Sequence, residues 1–373
     1  MTRAGRGTPG KKSGAACAWV LADYVPGDEE RIIRAFEQTF SRPMGRTESR
    51  AHWRWEYLDN PEKPLAIKLA WDRDTLVGHY AVSPVRMSLD GTPLPACLSL
   101  DTLTHRDYRL QGVFSRTARA LYDDVTARGL AFVYGFPNRE SNPGMTRVLG
   151  WTTRPAPVWL RPHDVSEVVG TLLGSRRLAR LAGSAGAACS RGALALSRRG
   201  RGVEVREEHA FGEWADDLWQ RICGQHRLWL VRDRKYLSWR YARPESTYRV
   251  LTAWSGSRPC GFIVWTDEER NGLYFRFIME LSLDPAVEGC GDALLGEAVR
   301  AESVRPIAAL SALAAPACTY RPLLRRYLFA RLPEALFPQQ FYFGGLSFGR
   351  AVCQEMLADP SVLHITWGDT DLL

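Results

Sequence analysis

Residues 98–129 read LSLDTLTHRDYRLQGVFSRTARALYDDVTARG, and the reading of this stretch decides the fold. Leu98 and Leu100 alternate with polar neighbours, and Thr102 and Thr104 continue the run, which predicts a strand. From Phe114 the spacing changes: Phe114, Ala118, Leu121 and Val125 recur at the period of a helix. A strand that turns tightly into a helix leaves the first main-chain N–H groups of the helix unpaired. With the positive end of the helix dipole they form a seat for a phosphate or pyrophosphate. Gly112 permits close approach of the backbone to such an anion, and Arg109 adds a full charge. A plain strand–helix turn with no ligand is the alternative reading of the segment alone.

Outward from that stretch, Trp19–Tyr24 predicts a strand and Ile32, Ile33, Phe36 and Phe40 a helical face. Ala66–Trp71 and Leu76–Val82 predict a hairpin around Asp72-Arg73-Asp74, and Asp90-Gly91 marks a second one after Val85–Leu89. Ala131–Phe136 is a wholly apolar strand, and Met145, Val148 and Leu149 fit a short helix ending at Gly150. The order β-α-β-β-β-α-β-α-β predicts an α/β fold with a mixed sheet.

The second half repeats the first. Trp55-x-Tyr57 returns as Trp239-x-Tyr241, Gly78 as Gly261, and LSLD at 98–101 as LSLD at 281–284, with offsets of 184, 183 and 183. At the offset of 183, Arg109 falls on Asp292 and Gly112 on Leu295, so a second copy with a degenerate anion loop is expected. The expected organisation is a disordered tail at 1–18, a first domain at 19–161, an Arg-rich linker at 162–202, a second domain at 203–345 and a tail at 346–373. Between Glu167 and Glu204 no acidic residue occurs, while arginines accumulate among Gly, Ala and Ser. A solvated connector, or a segment that contacts anions or a membrane surface, would have this composition.

A chain of 373 residues with 45% hydrophobic and 24% charged residues can bury a sizeable core in two domains. Its net charge of +8 favours anionic partners without choosing among coenzyme, nucleic acid and membrane. The cysteines at 17, 97, 189, 223, 260, 290, 318 and 353 show no CxxC and no histidine at zinc-ligand spacing. No metal site is therefore expected, and free thiols in a reducing compartment are. No apolar run approaches the roughly 20 residues of a membrane span, and the basic N-terminus lacks a cleavage pattern, so a cytoplasmic protein is expected.

The segment Arg109-Leu110-Gln111-Gly112-Val113-Phe114 resembles the acyl-CoA loop of the GNAT acetyltransferases, Gln/Arg-x-x-Gly-x-Gly/Ala, with Phe114 in place of the last small residue. The duplicated plan is similar to that of tandem-GNAT proteins, in which one half usually holds the coenzyme and the other shapes the acceptor pocket. The resemblance implies an acetyl-CoA-dependent N-acetyltransferase acting on a small-molecule amine, with one coenzyme site, in the N-terminal half. It implies that the backbone of Leu103, Thr104 and His105 binds the pantetheine and that the amides of Arg109, Leu110, Gln111, Gly112, Val113 and Phe114 bind the pyrophosphate. Asn138 and Ser141 match a further family element, but the tyrosine that usually follows falls on Met145 or Thr146. For the base that deprotonates the amine, Asp101 is the leading candidate, followed by His105, His79 and the C-terminal segment with Asp369, Asp371 and the terminal carboxylate. Two other functions fit the tandem plan: an aminoacyl-tRNA-dependent transferase using the Arg-rich segment, and a non-catalytic acyl-CoA-binding protein. The anion loop favours the first reading, under which no nucleic acid is bound.

Overall fold

The computed structural model describes residues 19–39, 50–164, 202–333, 341–349 and 351–371. The tail expected at 1–18, nearly all of the Arg-rich linker, and Leu372 and Leu373 with the terminal carboxylate lie outside the described residues.

The chain opens with β1 (Val20–Asp23) and helix α1 (Glu29–Thr39), whose Ile32, Ile33 and Phe36 turn one apolar stripe inward. Short helical turns, α2 (Arg50–Trp53) and its continuation Arg54–Leu58, carry the first Trp-x-Tyr. A meander of β2 (Ala66–Asp72), β3 (Thr75–Leu89) and β4 (Thr92–Thr104) follows, then α3 (Val113–Ala127), β5 (Phe132–Gly135) and β6 (Thr152–Pro155). The run from Thr75 to Leu89 is one continuous strand through Pro84, whose carbonyl accepts from Asn60 at 3.1 Å. After β7 (Val158–Pro162), the second half begins with β8 (Glu204–Glu208), α4 (Glu213–Ile222), β9 (Leu228–Leu230) and α5 (Arg234–Arg240). It repeats the meander as β10 (Arg249–Ser255), β11 (Arg258–Arg270) and β12 (Leu273–Leu283), then α6 (Cys290–Arg300) and β13 (Ala309–Leu313). The chain closes with α7 (Arg321–Arg326), β14 (Ala330–Arg331), β15 (Tyr342–Ser347) and α8 (Gln354–Ala358).

Two mixed sheets result, ordered β1-β2-β3-β4-β5-β15-β6, with β9 on the far end of β3, and β14-β7-β13-β12-β11-β10-β8. In each, the strand before the long helix runs parallel to the strand after it, as a strand–helix–strand crossover requires. The halves exchange strands. β7 follows the first sheet in the chain but pairs with β13 in the second, and β15 follows the second sheet but lies between β5 and β6 of the first. Neither sheet is therefore made from one continuous stretch of chain. One large core joins both halves, from Phe36 and Trp53 through Leu98 and Trp229 to Phe262 and Trp367.

The repeat is real, but its register drifts, and this corrects the sequence alignment of the second half. Gly78 packs against Val113, the first residue of α3, with no room for a Cβ; Gly261 packs in the same way against Cys290, the first residue of α6. The glycines are 183 residues apart, whereas Val113 and Cys290 are 177 apart. A shorter hairpin and a shorter loop account for the difference. Gly112 therefore corresponds to Gly289, not Leu295: both are N-caps in the left-handed region, with φ +77° and +79°. On the paired strands, Leu103 opposite His79 corresponds to Ser282 opposite Phe262, which places Glu280, not Asp284, at the position of Asp101. The two LSLD tetrapeptides are not structural equivalents.

Candidate functional site

β4 and β5 pair only at Cys97–Val133 and Leu98–Tyr134. Beyond that, β5 ends at Gly135 while β4 continues to Thr104. One edge of β4 thus leaves its parallel neighbour. A bulge deepens the break, because Leu100 faces Ala81 and Leu103 faces His79, so Asp101 and Thr102 share one place opposite Tyr80. Asp101 takes φ +46° there, a strained conformation for a residue with a Cβ. The bulge turns the Asp101 side chain onto the face that meets the second half.

The loop after β4 is held by its own side chains. His105 caps the turn Arg106–Tyr108, its Nδ1 accepting from Asp107 N at 3.4 Å, and Gln111 Nε2 donates to the Asp107 carbonyl at 3.0 Å. Arg109, Leu110, Gln111 and Gly112 are exposed, and Leu110 is held at φ +62°. Gly112 then starts a 15-residue helix, so the free N–H groups of the first turn, from Val113 onward, open beside the end of β4. Phe114 turns away from this mouth and packs on Gly144 at the start of the next helical turn. Asn138 ends the β5 region with its Oδ1 accepting from the N–H groups of Glu140 and Ser141, at 2.9 and 2.8 Å. Met145 is buried in the core behind α3, and Thr146 Oγ1 donates to the Asn142 carbonyl.

Carboxyl groups gather on the inner face. Tyr57 Oη donates to Asp101 Oδ2 at 2.5 Å. Burial raises the Asp101 carboxyl to about 7; the Tyr57 bond works against this, and the charges of Glu56 and Asp371 add to it. Glu56 is likewise pushed up to about 7, first by burial, opposed by the Arg243 charge and reinforced by Asp371. Burial raises Asp371 as well. His79 Nδ1 donates to the Asp101 carbonyl at 2.6 Å, and burial lowers its pKa to about 4, so it is a neutral prop and a weak base. His105 belongs to the loop cap.

Asp371 is brought to this cluster by the C-terminal segment, which threads the second half. Trp367 donates to Ser311 Oγ at 3.1 Å and packs edge-on against Phe277, at the last pairs of β12 with β13, and Gly368 lies against the Met279 carbonyl where β12 leaves β13. Asp369 and Glu280 both bind Arg232, at 2.7 and 2.5 Å. Arg240 holds the carbonyls of Gly368 and Thr370, and Arg243 that of Asp371. The second cleft is thus filled by the chain itself. Its carboxylate is neutralised by a buried arginine, where Asp101 has a tyrosine hydroxyl. The loop before α6 also differs: it carries Glu288 beside Gly289, and Asp292 in the first helical turn is paired with Arg326. Negative charge at a helix N-terminus opposes a second anion there.

Sequence reasoning named Asp101 and Asp371 but missed Glu56 and Arg243. The signal for Glu56 was present in the repeat: Trp55-Glu56-Tyr57 faces Trp239-Arg240-Tyr241, with opposite charges at matched buried positions. Asp284, the partner of Asp101 in the LSLD repeat, is bound by Arg221 and Arg258 and is not its structural equivalent.

Residues 23–154 match a family model described as an acetyltransferase (GNAT) domain. No curated protein sequence matches the chain. Among solved structures, the fold is similar to a GCN5-related N-acetyltransferase from Kribbella flavida, with TM-score 0.58 and 14% identity over 87% of this chain and 70% of that one. It is also similar to a GCN5-related N-acetyltransferase from Anabaena variabilis, with TM-score 0.57 and 11% identity over 87% and 72%. A third is N-myristoyltransferase of Saccharomyces cerevisiae with bound myristoyl-CoA, with TM-score 0.54 and 9% identity over 90% and 84%. Among the described residues no helix is long and apolar enough to cross a membrane, and no group of side chains could hold a metal ion. Residues 23–154 thus match a GNAT acetyltransferase domain, and the chain has the fold of the GNAT N-acetyltransferases.

Proposed function

We propose that the protein is an acetyl-CoA-dependent N-acetyltransferase of a small-molecule amine, working from its N-terminal half. The observation that carries this reading is the pairing, along one strand, of a largely exposed loop at 105–112 with the half-buried Asp101, whose carboxyl is pushed up to about 7. The thioester supplies an acyl carbon that a neutral amine can attack. The chain must take the proton from the incoming ammonium, and Asp101 in its ionised form does so, with Tyr57 fixing the carboxylate and Glu56 keeping it basic. The N–H groups of Val113 and Phe114, aided by Arg109, hold the diphosphate, and the freed edge of β4 at Leu103, Thr104 and His105 holds the pantetheine arm. Asn138 borders the same mouth. Because a thiolate leaves readily, the reaction proceeds without a tyrosine at Met145 or Thr146. The half-buried carboxyls of Asp101 and Asp371 suit a cationic acceptor.

The test is release of free thiol from acetyl-CoA against a panel of amines, with CoA binding measured by titration calorimetry. Binding without thiol release for any amine would leave a carrier protein in place of an enzyme.

A further inference from the structure

A second site lies where the two halves exchange strands. A cavity of about 220 Å³ opens between the β6–β7 crossing, the end of β13 and the segment after β15. Arg154, Arg321 and Arg331 line it with Trp159 and Phe343, against one carboxylate, Asp359. That carboxylate is already engaged, its Oδ1 accepting from Ser361 N and Oγ at 2.8 and 2.7 Å. Among the described residues none of the three arginine side chains has a hydrogen bond or ion pair within 4 Å to a carboxylate, and Nε of Arg321 is buried with no acceptor. Trp159 is fixed by its indole N–H on the Ala314 carbonyl at 3.0 Å, and the guanidinium groups of Arg321 and Arg325 lie 5.3 and 5.6 Å from its ring centre.

We propose that this cavity binds a small organic anion, a flat apolar body carrying a phosphate or carboxylate. Arginines with no hydrogen-bonded or ion-paired carboxylate among the described residues, set around an aromatic wall, have the donors for such a group, and Arg321 holds a buried Nε–H with no acceptor among those residues. Trp159 and Phe343 supply the apolar faces. The site does not depend on the acyl-CoA reading, because no residue of the 105–112 loop borders it. Its walls come from both sheets, so an occupant fastens the joint and raises the melting temperature.

Titration of the full chain with phenyl phosphate and benzoate tests it, with phenol and inorganic phosphate as controls. One bound anion per chain is expected. Its affinity should fall at least tenfold in the Arg321→Gln/Arg331→Gln variant and be unchanged in Arg109→Gln. Loss in Arg109→Gln, indifference to the double substitution, equal binding of phenol, or inorganic phosphate binding as tightly as phenyl phosphate would each overturn the assignment. Should the double variant fail to fold, crystals soaked with p-bromophenyl phosphate decide the matter: bromine in the cavity supports the site, and bromine elsewhere or nowhere refutes it.

Discussion

Trp55 and Trp239, the equivalent tryptophans of the two repeats, stack on each other with ring centres 5.2 Å apart and planes 15° from parallel. Each indole N–H donates to the main-chain carbonyl of the other residue, at 2.7 and 2.8 Å. Matched residues contacting one another reciprocally is the signature of two-fold symmetry, here inside one chain. Trp55→Ala should cost about 3–5 kcal/mol of folding stability, and Trp55→Phe about 1 kcal/mol, because the Trp239 carbonyl loses the indole donor but keeps the Ala242 N–H at 3.1 Å. Urea unfolding of Trp55→Phe, Trp239→Phe and the double variant tests the unit. Simple additivity would show that the two rings act independently.

The acid limb of kcat/KM should report the Asp101 carboxyl. Activity is expected to rise with pH through about 7, where the buried group loses its proton. Asp101→Asn should lower kcat by about 10²–10⁴-fold. Glu56→Gln removes a neighbouring negative charge that raises Asp101, so it should keep activity and move the limb to lower pH. A limb unmoved in Glu56→Gln would separate the two carboxyls.

Stability should show the Glu56 titration with the opposite sign to that of an ordinary salt-bridged carboxylate. Its pKa rises from 4.5 to about 7 on folding, so between those values the native state binds more protons than the unfolded chain. Stability then falls as pH rises through that window, by up to about 3 kcal/mol, and the loss is complete above pH 7. Glutamine does not ionise. Glu56→Gln should therefore be more stable than the natural protein at pH 8 and nearly equal to it near pH 4.5, measured by urea midpoints. A difference independent of pH would contradict the buried titration.

Coenzyme should bind once per chain and at the first loop. Gly112 has φ +77° and open space around it, with no other residue's atom closer than 3.8 Å to a Cβ placed there. Gly112→Glu should leave the fold intact by circular dichroism, with a backbone cost of about 1–3 kcal/mol, while placing a carboxylate where the diphosphate is to lie. CoA affinity should disappear in calorimetry. Gly289→Glu, in the half whose cleft is filled by Trp367, should leave it unchanged. Two molecules of CoA per chain would refute the single site.

Much of this fold was legible in the sequence because local period and turn chemistry agree with the final packing. The meander of β2 to β4, the helix after Gly112 and the apolar β5 follow from alternation, Asp90-Gly91 and the Phe114–Val125 spacing. What failed was the register of the second copy. The LSLD repeat is a stronger sequence match than Gly112 with Gly289, yet shortening of a hairpin leaves no local trace, and only packing of Gly78 on Val113 and Gly261 on Cys290 reveals it. Asp101 was legible as a carboxyl on a strand, but the bulge that aims it and the burial that raises it depend on residues far along the chain. Glu56 escaped notice because a charged residue between two aromatics reads as a solvated position until the other half covers it. The Arg-rich segment and the N-terminal tail fall outside the described residues and add nothing to this comparison.

The exchange of β7 and β15 also sets the order in which the molecule can be completed. During synthesis the first half emerges with β5 and β6 lacking the strand that separates them, and their facing edges stay open until residues 342–347 leave the ribosome. A nascent chain of this protein carries a sticky, half-built sheet from the completion of β6 until β15 is made, and cutting the gene at the linker would yield two fragments that each need the other to close.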